Sequence, residues 1–141
     1  MKYKIALVIP YFGKFNNYFE LFLKSCEKNP TVIWFIFTDD KSKYDYPANV
    51  IVTYMTFNEL KDNIQSLYDF DILLDTPYDL CDFKVAYGEV FKNYLKEYDY
   101  WGYCDNDMIF GDIRKFITDD IFEKYNKILI PELFILPETL T

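Results

Sequence analysis

The first unbroken apolar run of the chain is Ile5 to Ile9, closed by Pro10. A run without alternation reads as a strand buried on both faces, as in a parallel sheet. Pro10-Tyr11-Phe12-Gly13-Lys14 is the loop that follows. Apolar residues then return at positions 18, 19, 22, 23 and 26, the spacing of a helix with one buried face. Asn16 or Asn17 is placed to cap this helix and Asn29-Pro30 to end it. Val32 to Phe37 is a second buried strand, followed by Thr38-Asp39-Asp40. Strand, helix and strand in this order predict a right-handed crossover and a parallel pair.

Beyond it, Ser42 to Ala48 reads as a polar loop and Val50 to Met55 as a third strand. Asn58 is placed to cap a short helix over Glu59 to Leu67. Ile72 to Leu74 is a brief apolar run, a small strand or a loop anchor, and Thr76 to Cys81 a loop. The clearest stripe in the chain is Phe83, Ala86, Tyr87, Val90, Phe91, Tyr94 and Leu95, predicted as one helix capped by Asp82. Trp101 to Cys104 is the next strand. Ile113 to Ile117 and Ile121 to Tyr125 read as short helical pieces and Lys127 to Ile130 as a last strand. Pro131 to Thr141 shows no clear element. Alternating strands and helices predict an α/β fold with a mainly parallel, twisted sheet flanked by helices.

Composition narrows what such a fold does. The chain has 141 residues, with 14 Tyr, 14 Phe and 2 Trp, which is a folded domain with a substantial core. Only four glycines are present, so a glycine-rich phosphate loop is not expected. The formal net charge of −8 disfavours nucleic acid as a partner, and any phosphate must be met locally by a metal or a single basic residue. There is no histidine, which removes zinc sites of the common kinds and Ser-His or Cys-His nucleophiles. The cysteines, Cys26, Cys81 and Cys104, lack metal-ligand spacing and sit in apolar contexts. Reduced thiols and a cytoplasmic setting are therefore expected. No apolar run is long enough for an integral membrane segment.

Candidate chemistry concentrates at Asp105-Asn106-Asp107, directly after the fourth long strand. In an extended backbone, carboxylates two residues apart share a face, roughly 6–7 Å apart. Mn²⁺ or Mg²⁺ is often joined to a phosphate through only one or two such carboxylates. Spacing alone does not separate this triplet from Asp69-Phe70-Asp71, but its place at a strand end does, because parallel sheets bind ligands there. Pro10-Tyr11 and Thr38-Asp39-Asp40 fall at two further strand ends. Lys84, in the first turn of its predicted helix, is either a solvated surface lysine or one held to meet an anion.

These segments together resemble a known group. Pro10-Tyr11-Phe12-Gly13, Phe37-Thr38-Asp39, Pro77-Tyr78 through Lys84 to Gly88, and Tyr98 through Trp101-Gly102 to Asp107 are similar to a bacterial GT-A-like glycosyltransferase family with an Asp-x-Asp motif. That family is linked to capsular and surface polysaccharide genes and grouped as one of unknown function (DUF6625-like). The resemblance spans roughly residues 4–130. It implies a metal-dependent site for a nucleotide-diphospho-sugar donor and transfer to a glycan acceptor. By the same resemblance Asp105 and Asp107 hold Mn²⁺ or Mg²⁺, while Pro10, Tyr11, Asp39, Lys84 and Asn106 bind the donor. The implied role of the metal is to neutralise charge on the departing nucleoside diphosphate.

Related transferases continue well past the metal motif into an acceptor-binding half, whereas this chain stops at Thr141. Residues 1–130 are therefore expected to form the donor-binding domain, and 131–141 an irregular tail where the acceptor half would begin. Two other readings stand beside it. One is a non-catalytic α/β interaction module or inactive truncated transferase, associating through apolar surface left exposed. The other, a metal-dependent phosphohydrolase, would want more carboxylates or histidines gathered at the metal.

Overall fold

The computed structural model describes residues 1–130 and 133–137. In chain order the elements are β1 (Ile5–Pro10), α1 (Phe19–Glu27), β2 (Val32–Thr38), β3 (Val50–Tyr54) and α2 (Phe57–Gln65). A ten-residue 3₁₀ helix (Pro77–Ala86) and two short helices, α3 (Tyr87–Val90) and α4 (Lys92–Leu95), lead into β4 (Tyr100–Cys104). Then come α5 (Ile113–Phe116), α6 (Asp119–Lys124), β5 (Ile128–Ile130) and β6 (Leu133–Pro137).

The strands form one six-stranded sheet in the order β3-β2-β1-β4-β6-β5. Strands β1, β2, β3 and β4 are mutually parallel, with Ile5 opposite Val32 on one side and Tyr100 on the other. Strand β6 runs antiparallel to both β4 and β5. The sheet is thus mixed, which corrects the expectation of a mainly parallel one. The reason lies at the end of the chain. Only two residues separate β5 from β6, far too few for the crossover a parallel pair needs. Strand β6 also corrects the reading of 131–141 as an irregular tail, as far as Leu133–Pro137 is concerned; 131–132 and 138–141 lie outside the described residues. Its four consecutive apolar residues sit between prolines and look too short to stand alone. They form a strand because β4 and β5 pair with them on both sides.

The pleat divides the core. Ile5, Leu7 and Ile9 of β1 face one way, with Phe19, Phe22 and Cys26 of α1 and Trp34 and Ile36 of β2. Ala6 and Val8 face the other way, with Phe35, Phe37, Leu60, Ile64, Tyr87, Phe91, Leu95 and Trp101. Burial on both faces is what makes β1 and β2 continuous apolar runs. At roughly 1.5–3 kcal/mol for each large side chain fully removed from water, these two layers dominate the stability.

Local chemistry shifts several boundaries. Thr56, not Asn58, caps α2: its hydroxyl accepts from the Glu59 N–H at 3.1 Å, and the Glu59 carboxylate accepts from the Thr56 N–H at 2.6 Å. The helix predicted from Asp82 begins earlier, at Pro77. Its start is fixed by Asp79, which accepts from the Thr76 N–H at 2.7 Å and from the Thr76 hydroxyl at 3.0 Å. It is also not one helix but the 3₁₀ helix followed by α3 and α4, although Tyr87, Phe91 and Leu95 of the stripe are all buried. Leu74 is fully buried in an otherwise irregular segment, so the Ile72–Leu74 run is a loop anchor.

Asn29 ties α1 to the loop beyond the Asp-x-Asp triplet. Its amide nitrogen donates to the Ser25 carbonyl at 3.0 Å and the Gly111 carbonyl at 2.8 Å, and its side-chain oxygen accepts from the Ile113 N–H at 2.8 Å. The residue is only 3% exposed. Asn29→Ala strands these partners and is expected to lower unfolding stability by about 2 kcal/mol. Urea denaturation checks this: the midpoint should fall with no change in slope.

Candidate functional site

Along the sheet the chain runs outward from β1 to β2 and β3, then returns to place β4 on the other side of β1. That reversal opens a crevice at the carboxyl ends of β1 and β4, where open α/β sheets bind ligands. A cleft of about 410 Å³ lies there. Its walls are the ends of β1 (Val8 to Phe12), the ends of β4 (Tyr103 to Asp107) and one face of the 3₁₀ helix.

The 3₁₀ geometry explains which residues that helix contributes. With three residues per turn, side chains at i and i+3 lie in line. Tyr78, Cys81 and Lys84 are spaced by three and line the cleft, Pro77 and Leu80 line it from the adjacent row, and Tyr87 at the start of α3 continues the first line. No site role is expected of Tyr78, Cys81 or Tyr87 from the sequence, in which Thr76 to Cys81 reads as a loop and Tyr87 belongs to the apolar stripe of the predicted helix. The period of three is the signal that could have found them. Gly88 lets this segment sit close on β4, since a Cβ there would meet the Trp101 ring at 2.6 Å.

Of the residues expected at the site, the structure brings together Pro10, Tyr11, Lys84, Asp105, Asn106 and Asp107. The Lys84 ammonium donates to Asp105 Oδ1 at 3.3 Å and lies 5.3 Å from the centre of the Tyr103 ring. The two side chains of the pair are 28% and 47% exposed, so the pair faces the cleft and keeps contact with solvent. The Tyr11 N–H donates to the Phe37 carbonyl at 2.8 Å, and its ring stacks on Phe15 at 5.0 Å, which fixes the first loop against the aromatic core.

Asp39 stands apart from the cleft lining. It is exposed and accepts from the Gly13 N–H at 2.8 Å. Gly13 has φ of 100°, a conformation glycine adopts without strain, so Asp39 braces the turn that carries Tyr11 and Phe12. Asp40 beside it is buried and accepts from the Phe15 N–H and from the Ser42 hydroxyl and N–H. Burial opposes its charge, yet these bonds hold its carboxyl below the usual range.

The triplet itself differs from the extended geometry expected of it. Strand β4 ends at Cys104, and Asn106 and Asp107 occupy a turn. Asp105 is half-buried, Asp107 is exposed, and Asn106 is 7% exposed with no partner for its amide nitrogen among the described residues. An unmet donor of this kind is a destabilising feature, tolerated most often where a ligand or water completes it. Asp69-Phe70-Asp71, by contrast, is exposed in the loop after α2 and lines no part of this cleft.

The charged side chains of the cleft are Asp105, Asp107 and Lys84, and the two carboxylates are the groups that could hold a divalent cation. Asp105 and Asp107 supply carboxylate oxygens, and Lys84 supplies one positive charge between them and the 3₁₀ face. Among the described residues no group of three or more His, Cys, Asp or Glu side chains is gathered for a metal.

The three thiols are unpaired, and they differ in access. Burial pushes the Cys26 and Cys104 thiols up, beyond the range in which they react readily, whereas Cys81 is exposed in the cleft. Alkylation of the folded protein is expected to modify Cys81 first, which peptide mass mapping would show.

Fold and cleft together define a small α/β domain with a mixed sheet and a polar-mouthed, aromatic-walled crevice at its strand-order reversal. A family of unknown function (DUF6625) matches residues 7–136, and the chain belongs to that family. A comparison with curated proteins finds no match. Among the described residues no helix is long and apolar enough to cross a membrane.

Proposed function

We propose that this chain is the donor-binding domain of a GT-A-type glycosyltransferase, which takes a nucleotide-diphospho-sugar with Mn²⁺ or Mg²⁺ and serves transfer to a glycan acceptor such as a growing surface polysaccharide. One observation carries the reading: Lys84, Asp105 and Asp107 converge on the cleft at the carboxyl ends of β1 and β4. Fold likeness alone would not support a function, so the weight rests on these side chains.

In this reading Asp105 and Asp107 hold the cation, and Lys84 places a second positive charge against the diphosphate. The bound cation would supply Lewis-acid stabilisation of the leaving diphosphate. Tyr11, Phe12 and Tyr78 offer ring faces and apolar walls for the rest of the nucleotide. The 3₁₀ helix shields one side of the bound phosphates from bulk water, which strengthens the electrostatic contacts made there. No residue in the cleft is assigned as a nucleophile or general base.

Cys81 provides the test. UDP or GDP with Mn²⁺ in the cleft should shield its thiol. At about ten times the dissociation constant, alkylation should slow about tenfold. Unchanged alkylation with every nucleotide, at concentrations where binding would be saturating, contradicts the placement of the donor.

A second reading is favoured by a separate observation. An apolar groove of about 310 Å³ runs beside Met108 to Ile113 and Leu133, with Ile109 68% and Phe116 73% exposed. A non-catalytic interaction module would use such a surface. Light scattering during size exclusion distinguishes it: concentration-dependent association, together with no response to nucleotide, supports the module over the transferase.

A further inference from the structure

The Lys84–Asp105 pair occupies a carboxylate that the proposed site needs for its cation. Lys84 Nζ is 3.3 Å from Asp105 Oδ1, while Asp107 is exposed and makes no ion pair among the described residues. Both charges of the pair retain solvent contact, and pairs of this kind are weak enough to exchange partners. Lysine is a point charge on a flexible stem, suited to such an exchange. Lys84 also lies on the same line of the 3₁₀ helix as Cys81 and Tyr78, so a modest swing of its stem stays inside the cleft.

We propose that Lys84 acts as an internal counterion that is passed from Asp105 to the ligand's phosphate oxygens as the site fills, and that this exchange couples cation binding to nucleotide binding. The proposal rests on the donor-site reading above and deepens it. Without nucleotide, a divalent cation must displace Lys84 from Asp105 and then sit beside its ammonium charge. Without a cation, a diphosphate that draws Lys84 away leaves Asp105 unpaired and facing like charge. Binding of either partner breaks the same ion pair, so the second no longer has to. By linkage each partner then tightens the other by one common factor, and such couplings commonly fall at about 5–150-fold.

This yields a sign that a lysine serving only to contact phosphate would not give. Removing it should strengthen binding of the metal alone. Mn²⁺ is titrated into wild type, Lys84→Met and Lys84→Arg without nucleotide, with free Mn²⁺ read by electron paramagnetic resonance. Thermal melts establish that all three are folded. Lys84→Met is expected to bind Mn²⁺ alone roughly 3–10-fold more tightly than wild type, and Lys84→Arg to resemble wild type. Repeating the titration with saturating UDP or GDP should bring the affinities of wild type and Lys84→Met together, so the coupling factor of the variant shrinks by the same ratio.

Unchanged or weaker Mn²⁺ binding by Lys84→Met overturns the proposal, as does an absence of Mn²⁺ binding in all three proteins. If Lys84→Met binds Mn²⁺ more tightly but no nucleotide alters wild-type metal affinity, the competition for Asp105 stands. The donor-site reading and the exchange onto phosphate then both fail. If Lys84→Met binds Mn²⁺ as wild type does while UDP or GDP still tightens wild-type Mn²⁺ binding, the exchange alone fails and the donor-site reading stands, so the two failures are separable.

Discussion

The Asp105→Ala/Asp107→Ala double variant is expected to lose Mn²⁺-dependent nucleotide binding by at least about 100-fold. Changes even to groups behind metal ligands commonly cost 10–100-fold in affinity, and here the ligands themselves are removed. The fold should survive the change. Asp107 is exposed, Asp105 is half-buried, and among the described residues the only side-chain partner of Asp105 is Lys84 across a partly solvated pair. Such a pair contributes at most about 1 kcal/mol. The melting temperature should thus move by no more than a few degrees while binding disappears, so that circular dichroism and equilibrium dialysis with Mn²⁺ and UDP or GDP separate the two effects. Asp69→Ala/Asp71→Ala is the matched control. The same spacing of carboxylates, placed in the exposed loop after α2, should leave binding at the wild-type value.

Gly102→Val is expected to be the most destabilising single change. Gly102 lies in β4 and pairs with Ile135 of β6. A Cβ at this position would overlap the Phe134 carbonyl oxygen and approach Ile135 Cα within 3.1 Å. These are backbone atoms, so no side chain can move aside, and β6 must separate from β4 or shift register. Glycine in a central strand marks this kind of close approach. Overpacking usually costs 1–3 kcal/mol, and a backbone clash in the middle of the sheet should exceed that, at about 4 kcal/mol or more. For a chain of this size that lowers the melting temperature by on the order of 10–15 °C in differential scanning calorimetry. Because the triplet begins three residues later, at Asp105, nucleotide binding should fall as well. Gly111→Val offers the contrast, since a Cβ there meets nothing within 4 Å.

Sequence pattern was most informative where burial is two-sided. Strands β1 and β2 carry apolar residues without a break from Ile5 to Pro10 and from Val32 to Phe37 because both pleat faces are covered, so their runs are unambiguous. Helix α1 is legible for a different reason: only one of its faces is buried, so its apolar residues recur at helical spacing. Strand β6 was not legible. Leu133 to Leu136 is a strand only by virtue of the neighbours that pair with it, and pairing partners distant in sequence leave no local mark. The 3₁₀ helix was hidden differently. The apolar stripe from Phe83 to Leu95 has helical spacing, and it does bury Tyr87, Phe91 and Leu95. It masks the three-residue period of Tyr78, Cys81 and Lys84, which face the cleft, and which Tyr87 joins while it is itself buried in the core.

For the site, the placement of Asp105 and Asp107 after β4 was the useful signal, and their supposed strand-face geometry was not, because the backbone turns at Asn106 and Asp107. Lys84 could be named from sequence, but neither its bond to Asp105 nor the ring of Tyr103 beneath it could. Those contacts depend on how the 3₁₀ helix lies across β4. Asp39 illustrates the opposite case. It sits at a strand end, as expected, and its carboxylate is engaged by Gly13 in bracing the first loop.

In the proposed function the crevice between β1 and β4 takes a nucleoside diphosphate together with a divalent cation. Isothermal titration of UDP and GDP into the wild-type chain, with and without Mn²⁺, tests it most directly. The expected result is saturable binding of one of them at one site per chain in the presence of Mn²⁺, with affinity at least about fivefold weaker when the metal is withheld. Binding indifferent to the metal, or no heat of binding with either nucleotide at millimolar concentration, would contradict it.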